Sequence, residues 1–190
     1  MLKKVGILLV TLGSLLLSGC LSTTKIDPHQ QWDGRFSVIA ERHHQKENLS
    51  GRFNLMILNN HQILDLKTSI GNTLARIEQI DEKIRIQALG HDEIIANDQE
   101  GLMTELLGFH VPVNGLKYWI DGEALPNQDV KTEPNKAPYQ RIEQMGWDIS
   151  YTQYDDNGYP RRIVLQRPET VRSPALKITL VIAGRQHGTP

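Results

Sequence analysis

Apolar and polar residues alternate with a period of two along most of this chain, and that alternation restricts what it can fold into. Successive side chains of a β-strand point to opposite faces, so the pattern describes strands with one buried face. Trp32, Gly34, Phe36, Val38 and Ala40 share one face, and Leu49, Gly51, Phe53, Leu55 and Ile57 share the next. The pattern resumes at 63–68 after an Asn59-Asn60-His61 hairpin signal, at 73–79 and 83–88 around an Asp81-Glu82 turn, and briefly at 91–96. It returns at 139–145, 147–154, 161–166 and 175–182, with a strong turn at Asp155-Asp156-Asn157-Gly158. Residues 42–48 read as a polar turn, 121–138 as a long surface loop rich in Pro, Asn, Lys and Glu, and 183–190 as a disordered tail. Leu102, Met103, Leu106 and Leu107 have helical spacing that ends at Gly108. Asn114 can cap a second short helix carrying Leu116, Trp119 and Ile120. Short links between strands imply antiparallel pairing. One apolar face per strand requires the sheet to curl around something. The fold is therefore mainly β, with about nine to eleven antiparallel strands around one small helical insert.

The sequence contains one cysteine, Cys20, which excludes an internal disulfide framework, a cysteine-rich zinc site and an iron–sulfur cluster. Its position is informative. Lys3 and Lys4 precede an uncharged apolar or small stretch at 5–17. That is shorter than the ~20 residues a spanning helix needs and matches the apolar core of a secretory signal. Leu17-Ser18-Gly19-Cys20 follows, the pattern of a bacterial lipobox. The thiol takes a diacylglycerol and a peptidase cuts before it, so the preceding residues must be small. Residues 1–19 are then a signal peptide, 20–30 an acylated cysteine with its tether, and 31–190 a single β domain. The expected covalent groups are S-diacylglycerol and N-palmitoyl at Cys20, with no other cofactor. One chain attaches marginally, and two or three attach stably. Leu21, where an Asp commonly signals inner-membrane retention, favours the outer membrane. The tether could reach roughly 35 Å at ~3.3 Å per residue.

Signs of catalysis are weak. No Gly-x-Ser-x-Gly elbow, phosphate-binding Gly-x4-Gly-Lys-Ser/Thr loop or Gly-x-Gly-x-x-Gly is present, so the chain reads as a non-enzyme. His43-His44 with Glu47 lies in a polar stretch and is no zincin pattern. His91-Asp92-Glu93 cannot all face one site on a strand, and His110 between Phe109 and Val111 reads as packing. No metal site is expected. The formal charge of −1 offers no global field for nucleic acid. Arg161, Arg162, Arg167 and Arg172 read as a solvated strand face, or as a contact for anionic headgroups or an acidic partner. Thr68-Ser69-Ile70-Gly71-Asn72 links two strands, yet carries a large aliphatic residue at its tip. Ile70 either folds back onto the core or stays exposed, forgoing roughly 1.5–3 kcal/mol of burial.

Several spaced pieces, in order, resemble the LolB family of outer-membrane lipoprotein receptors. They are the lipobox ending at Cys20, Trp32-x-Gly34-Arg35-Phe36-x-Val38, Gly51-x-Phe53, Leu64-x-Leu66 and Ile70-Gly71. Leu107-Gly108, Val111-Pro112-Val113 and Leu116-x-x-Trp119-Ile120-x-Gly122 follow. Gln144-x-Gly146-Trp147-x-Ile149-x-Tyr151 and Pro160-x-x-Ile163-x-Leu165 complete the set. The resemblance implies an incomplete, half-open antiparallel β-barrel with short helices covering a hydrophobic cavity. It implies a monomer anchored in the outer membrane, facing the periplasm, that takes lipid-modified proteins from the periplasmic carrier LolA and inserts them into that membrane. It also implies that Ile70 is exposed and serves insertion. Ser69 stands where the family commonly has Pro, which implies a less rigid loop, and the family's C-terminal tryptophan region is missing.

On that reading Phe36, Val38, Phe53, Leu55, Leu64, Leu66, Ile149, Tyr151, Ile163 and Leu165 line the acyl-chain cavity, and Leu102, Leu106, Leu116 and Trp119 belong to its lid. A packed core has the same signature. Two alternatives remain open from sequence: a structural or assembly lipoprotein without a ligand, and a lipocalin-like carrier of small hydrophobic molecules.

Overall fold

The computed structural model describes residues 29–43, 45–81, 83–90, 92–96, 113–133, 139–171 and 173–187. Their strands form a single antiparallel sheet. It comprises β1 (Gln30–Arg42), β2 (Gln45–Leu58), β3 (His61–Lys67), β4 (Thr73–Ile80), β5 (Lys83–Ala88), β6 (Ile94–Ala96), β7 (Val130–Glu133), β8 (Arg141–Gln144), β9 (Trp147–Tyr154), β10 (Pro160–Arg167) and β11 (Ala175–His187). The spatial order is β6-β5-β4-β3-β2-β1-β11-β10-β9-β8-β7. Two meanders, β1–β6 and β7–β11, thus join where β1 pairs with β11. The sheet is open, with β6 and β7 as its outer strands. The one helix among the described residues, α1 (Val113–Trp119), lies between the two meanders in sequence.

Local chemistry explains the tight connections. Asn59, Asp81 and Met145 have positive φ at the first position of two-residue turns, which the twist of hairpin strands favours. Asp155 shapes the β9–β10 turn by accepting hydrogen bonds from the backbone N–H groups of Asn157 and Tyr159. Two glycines let the sheet close on its aromatic residues. A Cβ at Gly34 would meet the Val181 carbonyl oxygen at 2.1 Å and the Phe53 ring at 2.9 Å. A Cβ at Gly51 would meet the Lys67 carbonyl oxygen at 2.0 Å and the Phe36 ring at 3.1 Å. Phe53 pairs with Gly34 and Phe36 with Gly51, so each ring covers a bare stretch of the neighbouring strand.

The expected strands and the short helix are present, but the helix begins at Val113, so Asn114 lies in its first turn and does not cap it, and three further differences appear. Residues 45–48, read as turn, belong to β2, because β1–β2 pairing continues as far as Arg42 and Gln45. Its far part is wet on both faces, so it shows no apolar alternation. Residues 130–133, read as loop, form the short outer strand β7, whose largely exposed side chains likewise hide it. Residues 183–187, read as tail, extend β11 against β1 as far as the Gln30–His187 pair. Cys20, Leu102, Leu106, His44, His91, His110 and Arg172 lie outside the described residues.

One face of the sheet carries the core. Trp32, Leu55, Ile77, Ile86, Ile142, Ile149, Leu165 and Leu180 are among its buried residues, joined by Val113, Leu116, Trp119 and Ile120 from α1 and its end. Full burial of each large side chain contributes roughly 1.5–3 kcal/mol. The outer face is mostly polar and wet.

Candidate functional site

The residues expected to line a cavity come from five strands and converge on the core face. Phe36 and Val38 (β1), Phe53 and Leu55 (β2), Leu64 (β3), Ile149 and Tyr151 (β9), and Ile163 and Leu165 (β10) are buried in one cluster. Leu66 is half-buried and packs against it. Leu116 and Trp119 cover this face from α1.

Polar side chains fasten α1 across the sheet. Gln62 on β3 donates from Nε2 to the Val113 carbonyl at 2.7 Å, at the start of the helix. Tyr151 on β9 donates its hydroxyl to the Trp119 carbonyl at 2.8 Å, at the end. Five strand steps separate β3 from β9, roughly 24 Å on a flat sheet. A seven-residue helix spans only about 10 Å. The sheet must therefore curl to bring both strands to one helix, and α1 bridges the halves of the open barrel.

Gln144 on β8 adds a third tie. Its Oε1 accepts from Trp119 Nε1 and from the Leu125 N–H, each at 2.9 Å, and its Nε2 donates to the Leu125 carbonyl at 2.8 Å. Trp119 lies back along its own helix because Gly115 carries no Cβ; one there would stand 2.7 Å from the indole. Burial raises the Tyr151 phenol far above its ordinary pKa, so it stays a neutral donor.

Beyond α1 the chain is latched to the sheet where β1 begins and β11 finishes. Trp32 Nε1 donates to Asp121 Oδ1 at 2.9 Å. Arg185, with its side chain 8% exposed, donates to Asp121 at 3.1 Å and Asp155 at 3.2 Å. It also reaches the carbonyls of Ile120 and Pro160, and its guanidinium lies 4.5 Å from the Tyr159 ring centroid. Asp121 is shifted to higher pKa, because burial outweighs the Trp32 and Arg185 contacts that favour its charge.

The β3–β4 turn is at the opposite end and is built differently. Ile70 is 85% exposed at its tip. Thr68 holds the turn: its N–H donates to the Asn72 carbonyl at 2.8 Å, its carbonyl accepts from Gly71 at 3.0 Å, and its Oγ1 accepts from Asn72 at 3.0 Å. Gly71 supplies the left-handed φ of 98°. With Ser69 in place of Pro, the turn is shaped by these bonds.

The profile of the family described as "Outer membrane lipoprotein LolB" matches residues 28–184. The chain belongs to the LolB family. The Outer-membrane lipoprotein LolB of Cupriavidus necator is 29% identical over 182 residues, covering 90% of this chain and 91% of that protein. That of Pseudomonas aeruginosa strain LESB58 is 30% identical over 158 residues, covering 80% and 71%. A LolA superfamily protein of known structure from Nitrosomonas europaea overlays 86% of this chain and 89% of its own, with TM-score 0.49 and 8% identity.

Sequence reasoning missed the fastenings of this LolB-family domain. Gln62 and Gln144 each interrupt an otherwise apolar strand face, beside Leu64 and Ile142 respectively, and that interruption was the available signal. Arg185 had none, since it lies in the stretch read as tail.

Proposed function

We propose that this protein is an outer-membrane lipoprotein that receives lipid-modified proteins from the periplasmic carrier LolA and passes them into the outer membrane. Cys20 holds its acyl anchor, and the cargo's acyl chains bind between the core face of the sheet and α1. Ile70 carries the reading furthest: a large aliphatic residue is held outward on a hydrogen-bonded turn, although the chain has an apolar core that could bury it.

The core residues beneath α1 are buried, so acyl chains enter only if α1 moves away. The polar attachments to be released at the helix are few, chiefly those of Gln62, Tyr151 and Gln144. A neutral hydrogen bond contributes about 0.5–1.5 kcal/mol, and the buried Val113, Leu116, Trp119 and Ile120 hold the helix more strongly, so opening needs acyl chains to replace those apolar contacts. Sheltering ten methylenes supplies roughly 8 kcal/mol against that reorganisation. The chain has no nucleotide-binding motif, so transfer runs downhill in affinity. Each 1.4 kcal/mol between carrier and receptor gives about tenfold. Ile70 then lowers the barrier to the final step by entering the bilayer.

An assembly role through strand addition is less favoured. The outer strands β6 and β7 are only three and four residues long, which blunts such pairing.

The test is transfer of a labelled lipoprotein from LolA to this protein carrying Cys20→Ala, followed by release to liposomes. Movement to this protein without return supports the receptor reading. A folded protein that takes up no label sinks it.

A further inference from the structure

The register of the sheet assembles a row of cations on its outer face. Lys67 pairs with Arg52, Arg52 with Arg35, Arg35 with Val181, and Val181 with Arg162. The row runs β3-β2-β1-β11-β10, and its four cations span roughly 19 Å at ~4.8 Å per strand. Each is next in sequence to a residue packed on the core side: Leu66, Phe53, Phe36 and Ile163. The four therefore point outward, and all four are exposed. Lys177, also exposed, stands on the same face of β11 nearer the Ile70 end.

Among the described residues none of these five forms an ion pair. Facing like charges on adjacent strands is unfavourable, so the row is not there for the sheet's stability. On the outer face of β1–β4, Glu41 lies on the Ile70 side of the row, where Lys46 pairs with it at 3.3 Å, and the other acidic residues lie on the far side, away from Ile70. Asp65 and Glu78 are held by Arg76 at 3.3 and 3.1 Å, and Asp33 lies over Gly184. The outer face is thus divided, with unpaired cations in the half toward Ile70.

The row is continuous with the Ile70 turn, because Lys67 ends β3 and Thr68 begins the turn. An apolar tip beside exposed cations fits a bilayer surface, where the tip enters the acyl boundary and the cations meet headgroup phosphates. Chain length permits this. Ten residues from Cys20 to Gln30 extend up to roughly 33–36 Å. The Ile70 turn stands about 25 Å along the sheet from the start of β1, so anchor and tip can engage one membrane.

We infer that Lys67, Arg52, Arg35 and Arg162 form a docking surface for anionic phospholipid headgroups, which sets the domain on the membrane with Ile70 directed into it. This rests on the membrane-delivery reading above and adds the lipid charge class that the delivery site prefers.

The experiment compares binding to vesicles of phosphatidylethanolamine and phosphatidylcholine with binding to vesicles in which a quarter of the lipid is phosphatidylglycerol. The full chain carries Cys20→Ala throughout, so the anchor and leader contribute equally to every comparison. Stronger binding to the anionic vesicles, weakened by salt, is expected. Each cation removed should lower that preference about fivefold, and Arg35→Gln, Arg52→Gln and Lys67→Gln together by on the order of a hundredfold. The triple variant should melt no lower than its parent, because it relieves repulsion. Equal binding to both vesicles, or an unaltered triple variant, overturns the proposal. A triple variant that binds vesicles normally but no longer accepts cargo from LolA assigns the row to an acidic protein surface and also overturns it. Ile70→Glu separates the two readings: normal delivery with an intact anionic preference removes the insertion role and keeps the headgroup surface.

Discussion

The two ends of the sheet show opposite physical solutions. Where β1 begins, Trp32, Asp121, Asp155, Tyr159 and Arg185 bury charge and satisfy it with named partners. Where β3 finishes, Ile70 leaves an apolar side chain in water beside unpaired cations. The first arrangement spends its interactions within the fold. The second leaves both its apolar surface and its charge available to something outside. Stability and delivery are therefore expected to separate by end, and substitutions can test that separation.

The largest effect on stability should come from Arg185→Met. It strips the partner from Asp121 and Asp155 in a mostly buried setting, a change that costs about 3–5 kcal/mol. Denaturant unfolding at neutral pH would measure it. A loss below about 1 kcal/mol would mean that the two ends do not differ as described.

Tyr151→Phe removes one fastening of α1 and should cost about 1 kcal/mol. Uptake of a fluorescent fatty acid should become faster, since the closed state is held less firmly. Slower or unchanged uptake would show that opening does not occur at α1.

A smaller effect should follow pH. Burial raises the Asp121 pKa above its ordinary value, against the Trp32 and Arg185 contacts that favour the charged form. Between the unfolded value and that raised value, the folded state holds a proton the unfolded chain has released. The associated stabilisation is complete below this window and lost as pH rises through the folded value. Asp121→Asn should flatten that mildly acidic part of the profile, as read by denaturation midpoints from about pH 3 to 7. A profile with the same slope as the parent would assign the proton elsewhere.

Ile70→Glu should change stability least, within about 0.5 kcal/mol, because the side chain packs on so little. Its effect should appear in delivery to liposomes, which falls while capture from LolA persists. A clear loss of folding stability would mean that Ile70 supports the fold rather than the membrane step.

The legible part of the structure was the part governed by local pattern. Period-two alternation marked most strands, because one face of each meets the core while the other meets water. It failed at β7 and at the start of β2, where both faces are wet, and for 183–187, which were read as tail but extend β11. The apolar residues assigned to the cavity do meet on one face, since each lies on the core side of its strand. Gln62, Gln144 and Arg185 were not recognised as ties, because their partners lie 51, 19–25 and 25–65 residues away.

By itself, the sequence determined an antiparallel sheet with one apolar face, a short helix near Asn114 and a conspicuous Ile70 in a turn. Periodicity and turn chemistry are properties of neighbours in the chain. Tertiary structure decided which strands would be adjacent, and therefore that Lys67, Arg52, Arg35 and Arg162 form one row. It also decided that Ile70 points outward and that α1 bridges β3 and β9. Those outcomes depend on register and curl, which arise only when distant segments compete for the same core.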